Sequence, residues 1–306
     1  MLQDTTIRTR PARRRAAAPL LAAPRYELLP LPGALEAGSE LPVGARVTVT
    51  SSPARGLEAT VALTEALAAR GLRPAPHLAA RQFQDEAQLN EVLNRLTHAG
   101  VDDVFVIGGD NEEPKGAFPD ALTLLRSLSE AGHHFPHIGV GSYPEGHPTI
   151  DDEMLWQALA DKQPFATYTV TQMCFDADAV CRFTSEAAAR GITLPVLAGV
   201  PGVVDPARLL RVSMRIGVGD SMRFLRKDRS LLGRFLNPLG YHPRRLVREL
   251  GTRVSTGECT LAGLHIYTFN QVHPTRTWVD RARQHGDEHQ HGDEHQHLTT
   301  PGGDHE

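Results

Sequence analysis

Short apolar or β-branched runs alternate with helical stretches along almost the whole chain. The runs that read as strands are Tyr26–Leu31, Arg46–Ser51, Ala75–Ala79, Asp103–Gly108, His137–Ser142, Tyr168–Phe175, Leu194–Val200 and Leu264–Phe269. Between them the hydrophobic period changes from two to about 3.6. Leu89, Val92, Leu93 and Leu96 fall at i, i+3, i+4, i+7, as do Ala121, Leu124, Leu125 and Leu128, and again Val180, Phe183, Thr184 and Ala187. Each set forms one apolar stripe suited to packing on a sheet. Helical stretches stop at Gly71, Gly100, Gly132 and Gly191, where glycine supplies the left-handed residue that closes a helix end. The next strand begins a few residues later each time, which is the rhythm of parallel strands joined by crossover helices.

Eight such strands in one domain predict an α/β fold of the (β/α)8 TIM-barrel type, spanning residues 25–283. An open doubly wound sheet is the alternative, but no G-x-G-x-x-G follows the first strand and no G-x-x-x-x-G-K-[ST] occurs anywhere, so the usual phosphate-binding fingerprints are missing. Before the last strand, a long helical insertion is expected at about Ala207 to Arg253. It is basic, with Arg223, Arg226, Lys227, Arg229 and Arg234, which reads as a solvated face or as an electrostatic lure for an anionic substrate.

Composition sets the outer limits. The chain has 306 residues, 41% of them hydrophobic, with a formal net charge of −4. It can bury a large core, and no basic excess points to nucleic acid. No apolar run approaches the roughly 20 residues of a membrane helix. Cys174, Cys181 and Cys259 are too few and scattered for a disulfide framework or zinc site, so a reduced cytoplasmic compartment is expected. Residues 1–24 hold five arginines, from Arg8 to Arg15, then the apolar stretch Ala16–Ala23. That order imitates a signal peptide, but the stretch is short and Pro19 interrupts it, so a flexible basic arm is expected. Residues 284–306 repeat His-Gly-Asp-Glu-His-Gln and hold no hydrophobic cluster. They read as a disordered, His-rich tail with adventitious rather than dedicated metal binding, and no metal site is assigned.

In a barrel, reactive side chains stand at the C-terminal ends of strands. The polar residues there are Glu27, Thr50 and Ser51, His77, Gly109-Asp110, then Tyr143, Glu145 and His147, then Gln172, and finally Tyr267 and Asn270. Glu27 lies among Tyr26, Leu28 and Leu29, where a carboxyl is either a paired structural group or a functional acid. Asp110 could be a turn residue or helix cap, with glycines that let a ligand approach the backbone. His77 and Gln172 could equally be interior hydrogen-bonding groups.

Together these segments resemble the methylenetetrahydrofolate reductase family. The resemblance rests on Tyr26-Glu-Leu-Leu-Pro30, Pro76-His-Leu78, Gly109-Asp110, Tyr143-Pro-Glu-Gly-His-Pro148, Thr171-Gln-Met-Cys-Phe-Asp176 and His265-Ile-Tyr-Thr-Phe-Asn270, in the right order from about residue 25 to 282. It implies a barrel that reduces 5,10-methylenetetrahydrofolate to 5-methyltetrahydrofolate with NAD(P)H, supplying methyl groups for methionine synthesis. It implies Glu27 as general acid and Asp110 as the pterin-bonding catalytic aspartate, with Gln172, Tyr267 and Asn270 at the substrate. Thr50, His77, Gly109, Tyr143, Glu145 and His147 match positions that line FAD or FMN in typical members. Folate and nicotinamide nucleotide are the partners implied, and a homo-oligomer is compatible.

Four departures fall in these loops. Family members carry a lysine eleven residues before the glutamine, where Asp161 stands here, with Lys162 one step off. They have Arg-Gly-Asp where this chain has Gly108-Gly109-Asp110, arginine where it has Gln271, and Tyr-Gly where it has Ser51-Ser52. Similar loops occur in an actinobacterial branch that passes hydride directly from nicotinamide to folate. A folate-binding one-carbon or methyl transferase on the same barrel is the competing activity.

Overall fold

A computed structural model describes residues 17–147, 149–205 and 242–287. Eight parallel strands close into one barrel in sequence order: β1 (Arg25–Leu28), β2 (Arg46–Val49), β3 (Arg73–Ala79), β4 (Asp103–Ile107), β5 (His137–Ser142), β6 (Tyr168–Thr171), β7 (Val196–Pro201) and β8 (Gly263–Tyr267). The ring is sealed by β8 pairing with β1. Helices α1 (Ala18–Leu21), α2 (Ala34–Ser39), α3 (Gly56–Ala68), α4 (Glu86–His98), α5 (Ala121–Glu130), α6 (Asp152–Lys162), α7 (Ala177–Ala189), α8 (Arg244–Ser255) and α9 (Val272–Asp287) alternate with them. All eight expected strands are present. Five of them, β1, β2, β4, β6 and β8, end earlier than the apolar runs suggest, β1 and β6 by the most. β1 stops at Leu28 because Leu29 bonds to the side chain of Asn270 instead of to a strand. β6 stops at Thr171, and its continuation crosses to Gly199, where Cys174 N bonds Gly199 O at 2.9 Å.

The helices start and stop for local reasons. Asp85, Asp120, Asp151 and Asp176 cap α4, α5, α6 and α7, each carboxylate accepting a backbone N–H of the first turn. The expected glycine stops all have positive φ. The three expected stripes are buried except Ala121, which packs at the margin of the same core.

Three parts of the expected outline change. The flexible arm is expected to reach residue 24, but Ala18–Leu21 forms α1, with Leu20 and Leu21 buried. Arg283 of α9 ties it down, donating from Nε to Leu21 O at 2.7 Å and from Nη2 to Ala22 O at 2.8 Å. Burial of the apolar stretch is what orders it. The insertion before the last strand is, in its described portion, the crossover helix α8, which buries Leu246, Val247 and Leu250. The tail is expected to be disordered from residue 284, but α9 runs on to Asp287, so its first four residues are helical. The arginine-rich part of the insertion, the five arginines of the arm and the tail beyond residue 287 lie outside the described residues.

Inside the barrel, the floor is a polar cluster. Arg25 pairs with Asp103, Tyr168 Oη donates to Asp103 Oδ1 at 2.8 Å, and the Arg25 guanidinium lies 4.3 Å over the Tyr168 ring. Each buried charge is thus paired and hydrogen-bonded, as burial demands. This floor closes one end and leaves the strands' C-terminal ends as the open mouth.

Candidate active site

Glu27 is buried on β1, with Thr48 of β2 and Tyr267 of β8 as its register neighbours. Its Oε2 lies 3.2 Å from His265 Nε2, and its backbone carbonyl accepts from the Thr268 hydroxyl. The ring of Tyr267 stands edge-on to His265 at 4.8 Å, and its hydroxyl donates to Thr171 O at 3.1 Å. Burial, and next to it the Glu27 charge, holds the Tyr267 phenol far above its ordinary pKa, so this phenol is a donor only. Room for its ring comes from Gly199: a Cβ there would meet Thr171 O at 2.3 Å and Tyr267 Cε2 at 2.8 Å.

The far wall is formed by the ends of β2 to β5. His77 stacks on Phe105 at 4.8 Å between ring centroids. Burial, with His265 adding to it, lowers the His77 pKa to about 3, so the ring is neutral at physiological pH. Gly109 has φ of +92°, and a Cβ there would press on Ala79 at 3.1 Å, so β4 can turn here only through glycine. Asp110 follows it, exposed at the loop's tip. Enough protein surrounds its carboxyl to push the pKa upward, with His147 opposing. Tyr143 sets its ring edge-on to His147 at 5.4 Å, and burial, then Asp110, raises its pKa. Glu145 is raised to about 7 by burial first, then by Asp176, with Arg182 pulling the other way.

Gln172 is exposed at the end of β6. Its Oε1 accepts from Met173 N at 2.8 Å, which turns the amide so that Nε2 is left to donate. Asn270 is placed otherwise. Both its amide atoms are bonded to the Leu29 backbone, and its own N–H donates to Thr268 Oγ1 at 3.1 Å. It holds the end of β1 rather than offering its amide outward.

The barrel's lumen and mouth are rich in polar atoms without a protein partner among the described residues. Thr48 Oγ1, Thr50 Oγ1, Ser51 Oγ, His77 Nε2, Asn111 Oδ1, Glu145 Oε1, His265 Nδ1 and both side-chain polar atoms of Gln82 are buried with no hydrogen-bond partner there. Buried polar groups are normally bonded, and leaving one unmet costs about 1–3 kcal/mol. A cluster confined to the barrel lumen and the segments after β2 to β5 marks a site built for a polar ligand.

The sequence drew attention to eleven positions, and the fold brings Glu27, Thr50, His77, Gly109, Asp110, Tyr143, Glu145, His147, Gln172, Tyr267 and Asn270 to one end of one barrel. It missed His265 as a partner of Glu27. The signal was available in the alternation of β8, because His265 and Tyr267 share the inward face.

A closed parallel barrel with a polar, partly unbonded mouth and a buried carboxyl defines a (β/α)8 barrel with a candidate active site at its strands' C-terminal ends. The methylenetetrahydrofolate reductase family model matches residues 35–218, and the chain belongs to that family. It is 27% identical over 203 residues to methylenetetrahydrofolate reductase 2 of Saccharomyces cerevisiae, a match covering 60% of this chain and 32% of the yeast protein. It is 25% identical over 149 residues to 5,10-methylenetetrahydrofolate reductase of Buchnera aphidicola, covering 47% and 48% of the two chains. A probable methylenetetrahydrofolate reductase (NADPH) of Caenorhabditis elegans matches at 25% over 162 residues, covering 49% of this chain and 23% of that one. The chain therefore spans about half or less of the length of these curated relatives.

Proposed function

We propose that this barrel reduces 5,10-methylenetetrahydrofolate to 5-methyltetrahydrofolate, taking hydride from NADH or NADPH. The observation that carries the reading is Glu27, a buried carboxyl facing a mouth of unbonded polar atoms. The substrate's methylene carbon bridges two nitrogens and accepts hydride only after one C–N bond opens. The electron pair of that bond leaves with one nitrogen, which takes a proton, while the other nitrogen forms the iminium. Glu27 is the acid positioned to deliver that proton. Asp110, at the opposite rim, accepts from the N–H edge of the pterin, and Gln172 Nε2 donates to it. Tyr267 walls the pocket, and Asn270 keeps β1 in register.

The residues present do not fit a bound flavin. Its ring would meet suitable groups in Thr50, His77 and Tyr143, but its phosphates would lie beside α6. There Asp161 stands exposed and accepts from Gln157 Nε2 at 2.7 Å, an acid where a cation is needed. Lys162 is half-buried, with its pKa lowered by burial and Asp120 opposing that shift. No step is therefore routed through flavin, and hydride passes from the nicotinamide to the iminium carbon in one complex with both substrates bound.

The test is the oxidation of NADH and of NADPH by purified protein, with and without methylenetetrahydrofolate, alongside a visible spectrum. Colourless protein with folate-dependent oxidation is expected. No oxidation with either nucleotide, even with flavin added, overturns the reductase reading, whereas yellow protein with flavin bands overturns direct transfer alone.

A further inference from the structure

Glu27 has a partner that none of the groups discussed as acid or substrate ligand accounts for. His265 Nε2 contacts Glu27 Oε2 at 3.2 Å, with both residues buried at 1% and 7% exposure. The two lie on adjacent strands, His265 level with Arg25 and Glu27 level with Tyr267, so the imidazole reaches the acid diagonally from the barrel's closed side. Among the described residues the Glu27 carboxyl has its one side-chain hydrogen bond through Oε2, which leaves Oε1 without one, and His265 Nδ1 is buried without a partner.

The groups facing the pair come from four strands. Tyr267 of β8 packs edge-on against the imidazole with its hydroxyl committed to Thr171. His77 of β3 interacts with His265 and is itself neutral. Arg25 of β1 lies one layer below and is paired with Asp103 of β4. None of these offers Glu27 a hydrogen bond, so His265 is its side-chain partner among the described residues.

We infer that His265 is the positioning residue for the acid, fixing Glu27 through Oε2 so that Oε1 is the oxygen that carries and delivers the proton. This rests on the reduction proposed above. Before the step, Oε1 is protonated and His265 donates its Nε2–H to Oε2, with Nδ1 unprotonated. As the methylene C–N bond breaks, its electron pair goes to the departing nitrogen, and the Oε1 proton moves to that nitrogen. The other nitrogen's lone pair forms the C=N bond. Glu27 is left as a carboxylate in a buried site, and the Nε2–H stabilises the new charge until solvent returns a proton. A neutral imidazole suffices, and no proton leaves His265.

His265→Leu and His265→Gln separate this role from mere packing, because glutamine restores a donor near the Nε2 position and leucine does not. With leucine, kcat falls about 10- to 100-fold, the size of a lost hydrogen bond to a charged group. KM for the nicotinamide nucleotide is unchanged, and the alkaline limb of the kcat profile moves to higher pH, because a donor that favours the ionised acid has gone. Glutamine recovers most of kcat and returns the limb. Folded leucine variant with wild-type kcat and an unmoved limb overturns the inference, as does glutamine no better than leucine. Should the leucine variant not fold, His265→Asn, whose donor falls short of Oε2, takes its place with the same expected outcomes. Wild-type protein that never turns over sinks the reduction reading instead. The pairing is then decided by 15N NMR of labelled histidine: the Nε2–H tautomer at His265, with a resonance displaced in Glu27→Gln, supports it. The Nδ1–H tautomer, or no displacement, overturns it.

Discussion

Asn270 is bonded in both directions to the backbone of Leu29, its Oδ1 accepting from the Leu29 N–H at 2.9 Å and its Nδ2 donating to the Leu29 carbonyl at 3.0 Å. The side chain thereby replaces a neighbouring strand at the point where β1 ends, two residues beyond Glu27. The geometry needs φ values of 50° and 60° at Phe269 and Asn270, a left-handed turn that asparagine tolerates better than most residues. Asn270→Ala leaves the Leu29 N–H unmet and takes one of two donors from its carbonyl, which keeps the Leu31 N–H, and loses about 1–3 kcal/mol. Urea unfolding measures this directly. The same variant should lose kcat more than nucleotide affinity, because the strand that moves is the one carrying the acid. A variant within experimental error of wild type in stability would mean the clamp is not formed.

Gly199 makes a second fixed point. A methyl group there would meet Thr171 O and the Tyr267 ring well inside contact distance, and both are held by the hydrogen bond between them. Gly199→Ala therefore costs about 1–3 kcal/mol through overpacking. The Tyr267 ring must turn from His265, so folate binding weakens as well. Unfolding midpoints and a folate titration on the same preparation check both parts.

Glu27→Gln keeps the shape of the side chain and removes the proton it can deliver. Turnover is expected to fall about 10²- to 10⁴-fold, the usual contribution of a general acid. Binding of the nicotinamide nucleotide and the unfolding transition stay near wild type. Near-normal rates in this variant would remove Glu27 from the mechanism.

The pH dependence of stability carries the imprint of Glu145. Its folded pKa is raised from 4.5 to about 7 by burial, then by Asp176. Between those values the folded chain keeps a proton that the unfolded chain has released, so stability falls as pH rises through this window and levels off above about 7. The full effect is on the order of 3 kcal/mol. His77, lowered from 6.5 to about 3, works in the opposite sense, with stability falling as pH drops below 6.5. Comparing Glu145→Gln with wild type cancels the histidine. The variant's advantage in unfolding free energy should grow between about pH 5 and 8. A constant difference across that range would show that Glu145 ionises freely in the folded protein.

The barrel was legible because its signals are local and repeated. Alternation marks β8, the i, i+3, i+4, i+7 stripes mark α4, α5 and α7, and glycines mark helix ends. Each is imposed by backbone geometry within a few residues. The folding of Ala18–Leu21 was not legible, since its order depends on Arg283, more than 250 residues away in sequence. The site divides in the same way. Glu27 stands out as a carboxyl in an apolar run, and Asp110 as an acid after two glycines. The pairing of Glu27 with His265 joins residues 238 apart, and only closure of β8 onto β1 brings them together. For Asn270 the family resemblance implies a place at the substrate, whereas its commitment to the Leu29 backbone is a tertiary fact that no local pattern encodes.

The most direct measurement follows a hydrogen atom. Purified protein with no added flavin is given methylenetetrahydrofolate and NADH or NADPH deuterated at the transferring position of the nicotinamide ring, and the folate product is weighed by mass spectrometry. One deuterium in the methyl group of 5-methyltetrahydrofolate is the predicted result. Unlabelled methyl product, or none with either nucleotide, would contradict hydride transfer from nicotinamide to folate in this barrel.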